Sequence, residues 1–283
     1  MIGRIPQGPA VADGAAVDAS ALTLVWWDPA AQWGVGVFET LAVRSRTALR
    51  VAAHLTRLET AARRIGIALP AWSVLDAAAR HVASGAERDG WLKIAVSRSG
   101  HWAVFAGALE TFEDGRAVSA VVLTGRRHRL DPLVGIKTLA YAPAVLGLEE
   151  AHRRGADEGI WLNERGHVIG ACTANLFALR GRAVVTPSLS DGARDGVTRA
   201  RAIEALREAG LTVRESKVRY ATLRAADEIF LTSSVRGVRP VVRLDGRDVR
   251  KGRLGSVTTA LGERLAAEDV PRDTVSDAEE RQR

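Results

Sequence analysis

The chain has 283 residues, 47% of them apolar, which is enough for a sizeable core, and a net charge of +7. Its basic residues are mostly arginines scattered through predicted helices and turns, with no dense basic tract among aromatics; this argues against nucleic acid and for a basic surface or anionic small molecules. The single cysteine, Cys172, excludes an intramolecular disulfide, Met1–Ala21 lacks the pattern of a secretory signal, and nothing reaches the ~18 apolar residues of a membrane helix, so a cytoplasmic protein without membrane contact is expected.

Residues 1–20 are rich in Ala, Gly and Pro and are expected to be loosely ordered. Leu22–Trp27 and Gly34–Val43 read as strands, with Thr47–Val51 as the hairpin partner of the second. From Ala53 the period changes: Leu55, Leu58, Ala62 and Ile65 fall on one helical face, and Gly66 stops the helix. A second helix runs from about Ala71 to Ser84, with Trp72, Leu75, Ala79 and Val82 inward. Trp91–Ser97, Trp102–Ala106 and Ala117–Leu123 have the β-branched and aromatic content of strands. These elements form an α+β domain over 21–125, and the basic, turn-prone stretch 126–133 reads as a linker. A second domain over 134–266 follows. In it Ala144–Arg154 is helical, and Gly159–Asn163, Asn175–Leu179, Ala183–Thr186, Thr212–Glu215, Glu228–Thr232 and Pro240–Leu244 are strands. Thr198–Ala209 and Ser256–Leu265 are helices, and Asp245-Gly246 is a hairpin turn. The tail 267–283 is charged and expected to be disordered.

Chemistry gathers in the second domain. Gly135-Ile136-Lys137-Thr138-Leu139 delivers one amine from an apolar strand end. Some sixty residues on, Gly196-Val197-Thr198-Arg199 opens a helix, and Thr232-Ser233-Ser234 ends a strand. An amine able to form a Schiff base, with turns able to hold one phosphate, is the chemistry of a pyridoxal-phosphate site. Val197 and Thr198 offer an N–H and a hydroxyl at a helix N-terminus, where unpaired N–H groups and the macrodipole favour an anion. Taken singly, each feature has a plainer reading. Lys137 is then a solvated strand-end lysine, Asp195 an ordinary N-cap, and Ser233 and Ser234 a simple turn.

Taken together these strings resemble the class IV pyridoxal-phosphate enzymes, which include D-amino-acid and branched-chain aminotransferases and 4-amino-4-deoxychorismate lyase. The resemblance runs from about Gly34 to Leu265. It includes Gly36-Val37-Phe38-Glu39-Thr40, His54-Leu55-Thr56-Arg57-Leu58, Asn175-Leu176-Phe177 and Ala226-Asp227-Glu228-Ile229-Phe230-Leu231-Thr232. It implies an α/β fold of the α+β type in two domains, a small N-terminal α+β domain and a larger C-terminal pseudobarrel, assembled as a homodimer. It further implies pyridoxal 5'-phosphate on Lys137, with the phosphate held by Arg57, Val197, Thr198, Ser233 and Ser234. Phe38 and Arg98 would meet a small amino acid or carboxylate substrate, Arg98 through a bidentate contact from a strand end near His101. No metal is implied. Thr186-Pro187-Ser188-Leu189 and Cys172 are most similar to the lyase.

The chain departs from the family around the cofactor ring. Gly170 stands where the family has a glutamate that pairs with the ring nitrogen, and Glu164 sits too early to replace it. Ala140 replaces a common asparagine, Arg194 an apolar residue that supports the ring, and the stretch from Ser97 to Gly115 is short. Given room, Gly170→Glu is expected to raise turnover. Three functions follow from the resemblance: release of pyruvate and 4-aminobenzoate from 4-amino-4-deoxychorismate; amino transfer between an amino acid and a 2-oxo acid; or a repurposed, non-catalytic homologue that binds the cofactor.

Overall fold

A computed structural model describes residues 8–23, 26–109 and 116–269. The first domain is built on β1 (Pro9–Ala12), β2 (Ala15–Asp18), the short α1 (Pro29–Trp33), β3 (Gly36–Arg44), β4 (Thr47–Ala48), α2 (Val51–Ile65), α3 (Trp72–Ser84), β5 (Gly90–Ser97) and β6 (Trp102–Ala108). Its six strands run in the order β2-β1-β6-β5-β3-β4. In β5, Leu92, Ile94 and Val96 face the helices and are fully buried, while Trp91, Lys93 and Ala95 point to the other face. Leu55, Leu58 and Ala62 of α2 and Leu75, Ala79 and Val82 of α3 close the core on the helical side. Trp72, expected inward, is 47% exposed in the first turn of α3.

The N-terminal segment departs from the loosely ordered start expected for residues 1–20. Residues 9–18 form a hairpin, because β1 finds an antiparallel partner in β6 and buries Ala10 and Val11 on the way. The expected strand Leu22–Trp27 lies partly outside the described residues; Trp26 and Trp27 form a turn.

The second domain holds β7 (Val118–Arg127), α4 (Ala142–Arg153), β8 (Glu158–Asn163), β9 (His167–Ala171), β10 (Asn175–Arg180), β11 (Ala183–Pro187), α5 (Val197–Glu208), β12 (Thr212–Ser216), β13 (Val218–Arg219), α6 (Tyr220–Arg224), β14 (Glu228–Ser233), β15 (Gly237–Leu244), β16 (Arg247–Asp248) and α7 (Ser256–Glu268). The strand path is β12-β11-β10-β14-β15-β7-β8-β9-β13, with β16 paired to β15. The two ends of this path, β12 and β13, are separated in sequence by Lys217 alone. The sheet therefore curls until its edges meet, which is the pseudobarrel the resemblance implied. Inside it, Ile160, Leu162, Leu176, Leu231 and Val241 pack together. Outside it, Phe177 of β10 stacks on its cross-strand partner Phe230 of β14, with centroids 4.9 Å apart, beneath α5 and α7.

The boundary between the domains also moves. Residues 118–125 were expected in the first domain and 126–133 as linker, but β7 lies in the second sheet, parallel to both β15 and β8. A strand paired on both edges and buried by α4 belongs to the body it pairs with. Most of the charged tail 267–283 lies outside the described residues. No described helix is long and apolar enough to cross a membrane.

Candidate active site

Between the two sheets lies a cavity of about 810 Å³. Lys137 reaches it because its segment is stitched to the first domain. The Phe38 N–H donates to the Lys137 carbonyl at 3.0 Å, and the Leu139 N–H donates to the Gly36 carbonyl at 2.9 Å. Gly36 allows this approach: a Cβ there would stand 2.4 Å from a Leu139 methyl and 2.7 Å from the Val96 carbonyl oxygen. The amine of Lys137 sits 4.1 Å from the centre of the Phe38 ring and 5.4 Å from that of Tyr141. Burial holds its pKa well below the usual lysine range, and the charge of Arg194 depresses it further. Both effects shift the amine towards its neutral, nucleophilic form.

Behind it stands a buried acid. Glu39 of β3 is 1% exposed, in a strand made mostly of apolar residues. Its carboxylate accepts from Arg57 Nε at 2.7 Å and from Arg57 Nη2 at 2.6 Å, and it is 2.7 Å from His54 Nδ1. Burial raises its pKa, but the Arg57 charge and these hydrogen bonds prevail and lower it to about 2. Burial keeps His54 neutral despite its acidic neighbour, so His54 donates through Nδ1–H. Arg57 Nη1 meanwhile donates to the Asp195 carbonyl at 2.9 Å, which ties α2 to the turn that opens α5.

That turn is shaped for an anion. The N-cap of α5 is Gly196, not Asp195, and no side chain caps the helix. A Cβ at Gly196 would lie 2.0 Å from Asn175 Oδ1, so the backbone passes where no side chain fits. The first-turn N–H groups of Val197 and Thr198 are left available to a ligand. Val197, Thr198, Ser233, Ser234 and Arg57 all line the cavity with Lys137 and Phe38. Beside them, Thr232 Oγ1 is buried with no hydrogen-bond partner among the described residues. An orphaned hydroxyl, an uncapped helix start and a buried lysine of lowered pKa in one cavity fit pyridoxal phosphate.

Two expectations change. Arg98 does not line this cavity; it is exposed, and its guanidinium approaches the Ile65 carbonyl at 3.4 Å. The cation that β5 does present to the cavity is Lys93, whose amine lies 5.0 Å from the Phe38 ring centre and is shifted down by burial. The sequence carried a signal for it: Lys93 is the one charged residue within Trp91–Val96. Gly170 lines the cavity as expected, but its φ is +140°, and an added Cβ would meet the Ala174 carbonyl at 3.2 Å. A glutamate is strained there, so the gain expected of Gly170→Glu gives way to a loss. Cys172 is buried, its thiol pushed up to about 12 chiefly by burial, and it stays protonated and inert.

The Glu39 network makes stability acid-sensitive. A carboxyl held at about 2 in the folded chain and near 4.3 when unfolded contributes roughly 3 kcal/mol, present above the unfolded value and lost as pH falls through the folded one. Urea midpoints measured down to about pH 2.5 will fall more steeply for the native chain than for Glu39→Gln, which will also be less stable at neutral pH by about 3–5 kcal/mol because Arg57 loses its partner. Parallel pH profiles for the two proteins contradict this assignment.

The family model described as amino-transferase class IV matches residues 36–244. The branched-chain-amino-acid aminotransferase of Escherichia coli is 32% identical over 162 residues, 56% of this chain and 52% of that one. A crystal structure of a branched-chain aminotransferase from Thermoproteus uzoniensis, with norvaline, superposes with a TM-score of 0.85 at 25% identity, covering 94% of this chain and 96% of that one. A Legionella pneumophila structure titled "Putative 4-amino-4-deoxychorismate lyase" shares the fold at a TM-score of 0.78 and 24% identity, covering 88% of this chain and 96% of that one. A buried amine, an anion cradle and a family match across both sheets lead to one conclusion: the chain belongs to the class IV aminotransferases, as a pyridoxal-phosphate-dependent enzyme.

Proposed function

We propose that the enzyme is a lyase that converts 4-amino-4-deoxychorismate to 4-aminobenzoate and pyruvate. The observation that carries this reading is the bare backbone at Gly170 on a cavity wall that also presents the buried amine of Lys137, its pKa lowered by that burial. The bound cofactor supplies an electron sink for the substrate's amine-bearing carbon. With no acid at Gly170 to hold a proton on the ring, that sink is weak. A reaction that gains its drive from making an aromatic product tolerates this better than one that must store the electrons on the cofactor. Lys137 takes the proton from the amine-bearing carbon; the C–O bond to the enolpyruvyl group breaks as the ring becomes aromatic; and the enolpyruvate gains a proton to become pyruvate. Lys93 is the proposed anchor for a substrate carboxylate, supported by its place on the wall and by the lack of an acidic partner among the described residues.

Arg57, Val197, Thr198, Ser233 and Ser234 are the proposed phosphate ligands, supported by their common cavity and by the uncapped start of α5. A homodimer is the proposed assembly. Trp26, Trp27 and Trp33, 85%, 83% and 69% exposed, are the apolar surface such an interface would cover. The second reading, amino transfer, is favoured by the branched-chain aminotransferases among the relatives.

Arg57→Ala and Thr198→Ala will each weaken pyridoxal phosphate binding about ten- to a hundredfold, the worth of one charge-assisted hydrogen bond. Titration by absorbance measures it, and unchanged affinity in both variants would mean that the phosphate sits elsewhere. Incubating the loaded enzyme with 4-amino-4-deoxychorismate will yield 4-aminobenzoate and pyruvate in equal amounts, while branched-chain amino acids and glutamate leave the cofactor in its aldehyde form. Stoichiometric conversion to pyridoxamine phosphate by an amino acid, without 4-aminobenzoate from the chorismate derivative, selects the aminotransferase.

A further inference from the structure

The charges around the Lys137 amine do not balance. Seven lysine and arginine side chains line the cavity against three carboxylates, those of Glu149, Asp157 and Glu158. The carboxylates are engaged or peripheral. Asp157 accepts from the N–H and the hydroxyl of Ser119, both at 2.7 Å. Glu158 accepts from the Thr173 hydroxyl at 2.6 Å and lies 3.4 Å from Arg239, and Glu149 is exposed. Among the cations, Arg57 is neutralised by Glu39 and Arg239 is paired with Glu158.

Arg194 has no such partner. Its Nε is buried without a hydrogen bond, and no carboxylate among the described residues pairs with it. Its backbone is fixed, because the Asn175 side-chain amide donates to the Arg194 carbonyl at 2.7 Å. The preceding Ala193 carbonyl presses on Gly135, where a Cβ would stand 3.2 Å away, and Gly135 lies two residues before Lys137. The stem of Arg194 thus starts beside the segment that delivers the amine. After burial, its charge is the largest influence lowering that amine's pKa. The Lys137 amine is the atom to which the cofactor's carbonyl carbon attaches, so a charge acting there acts on the ring it carries.

A pyridine nitrogen faced by an acid holds a proton, whereas one faced by an arginine does not. Gly170 offers no acid. We propose that Arg194 sets a fixed positive charge against the cofactor ring, so that the ring is carried with its nitrogen unprotonated. This inference rests on the reading of the cavity as a pyridoxal-phosphate site. Arg194 then steadies negative charge that spreads from the substrate without giving the ring a proton, an arrangement that suits elimination over transfer of the amine to the cofactor.

The test is ¹⁵N NMR of the full chain reconstituted with pyridoxal phosphate labelled at the ring nitrogen. The native protein will show an unprotonated resonance from about pH 6 to about pH 8, Arg194→Lys will keep it, and Arg194→Leu will shift towards the protonated range at the acid end. A protonated ring in the native protein at neutral pH overturns the inference and leaves Arg194 free for an anionic group of the substrate; so does an unchanged titration in Arg194→Leu. Should Arg194→Leu fail to fold, N-methyl pyridoxal phosphate, whose ring carries a permanent positive charge, serves with the native chain. It will bind at least about tenfold more weakly than pyridoxal phosphate, and equal affinity contradicts the inference. Failure to trap any cofactor on Lys137 with borohydride would instead bring down the cofactor assignment itself, whereas a protonated ring on Lys137-linked cofactor sinks only this inference.

Discussion

Two backbone hydrogen bonds, between Gly36–Phe38 at the start of β3 and Lys137–Leu139, hold the site together. They fasten the connection after β7 to the first sheet, so that the lysine the second domain supplies to the cavity is fixed by the first. Side-chain rotamers can wander, but a lysine whose own carbonyl and whose next-but-one N–H are both paired cannot leave the cavity without breaking the junction between the domains. The same contact lays the ring of Phe38 against the amine, and burial there lowers the amine's pKa. Positioning and activation thus have one origin.

Glu39 extends that logic by one residue. Phe38 faces Lys137, and its neighbour Glu39 gathers Arg57 and His54 from α2. Arg57 in turn reaches the Asp195 carbonyl and steadies the turn that begins α5. A single strand therefore steadies both the Lys137 amine and the turn that opens α5, which line one cavity. Burying a carboxylate in an apolar strand costs several kcal/mol unless it is fully bonded, and here it is met by a bidentate guanidinium and an imidazole. Because that guanidinium is already neutralised, an anion at this turn would rely on the uncapped backbone of α5 as much as on charge.

Much of this was legible in the sequence because it rests on local patterns. The helical spacing of Leu55, Leu58 and Ala62, the stop at Gly66 and the Asp245-Gly246 hairpin turn are short-range signals, and the structure keeps them. Lys137, Phe38, Arg57, Val197, Thr198, Ser233 and Ser234 were named from motif and order, and they share one cavity. What the sequence hid is long-range. The hairpin of β1 and β2 exists only because β6 offers it an edge, and β7 changes domain because β8 and β15 flank it. Lys93 lies within β5 and Arg98 in the turn just after it, and only the direction in which β5 faces the second domain separates the cavity residue from the surface one. The backbone angle at Gly170 was equally hidden, since a missing side chain does not reveal whether its position accepts a new one.

The central claim is that one amine, Lys137, carries the cofactor in a chain with several other lysines, Lys93 among them in the same cavity. Reduction with borohydride after loading with pyridoxal phosphate, followed by peptide mass analysis, tests it directly. The account predicts a single stoichiometric adduct on the peptide containing Lys137, absent from Lys137→Ala. An adduct on Lys93 or on a surface lysine, with Lys137 unmodified, would contradict it.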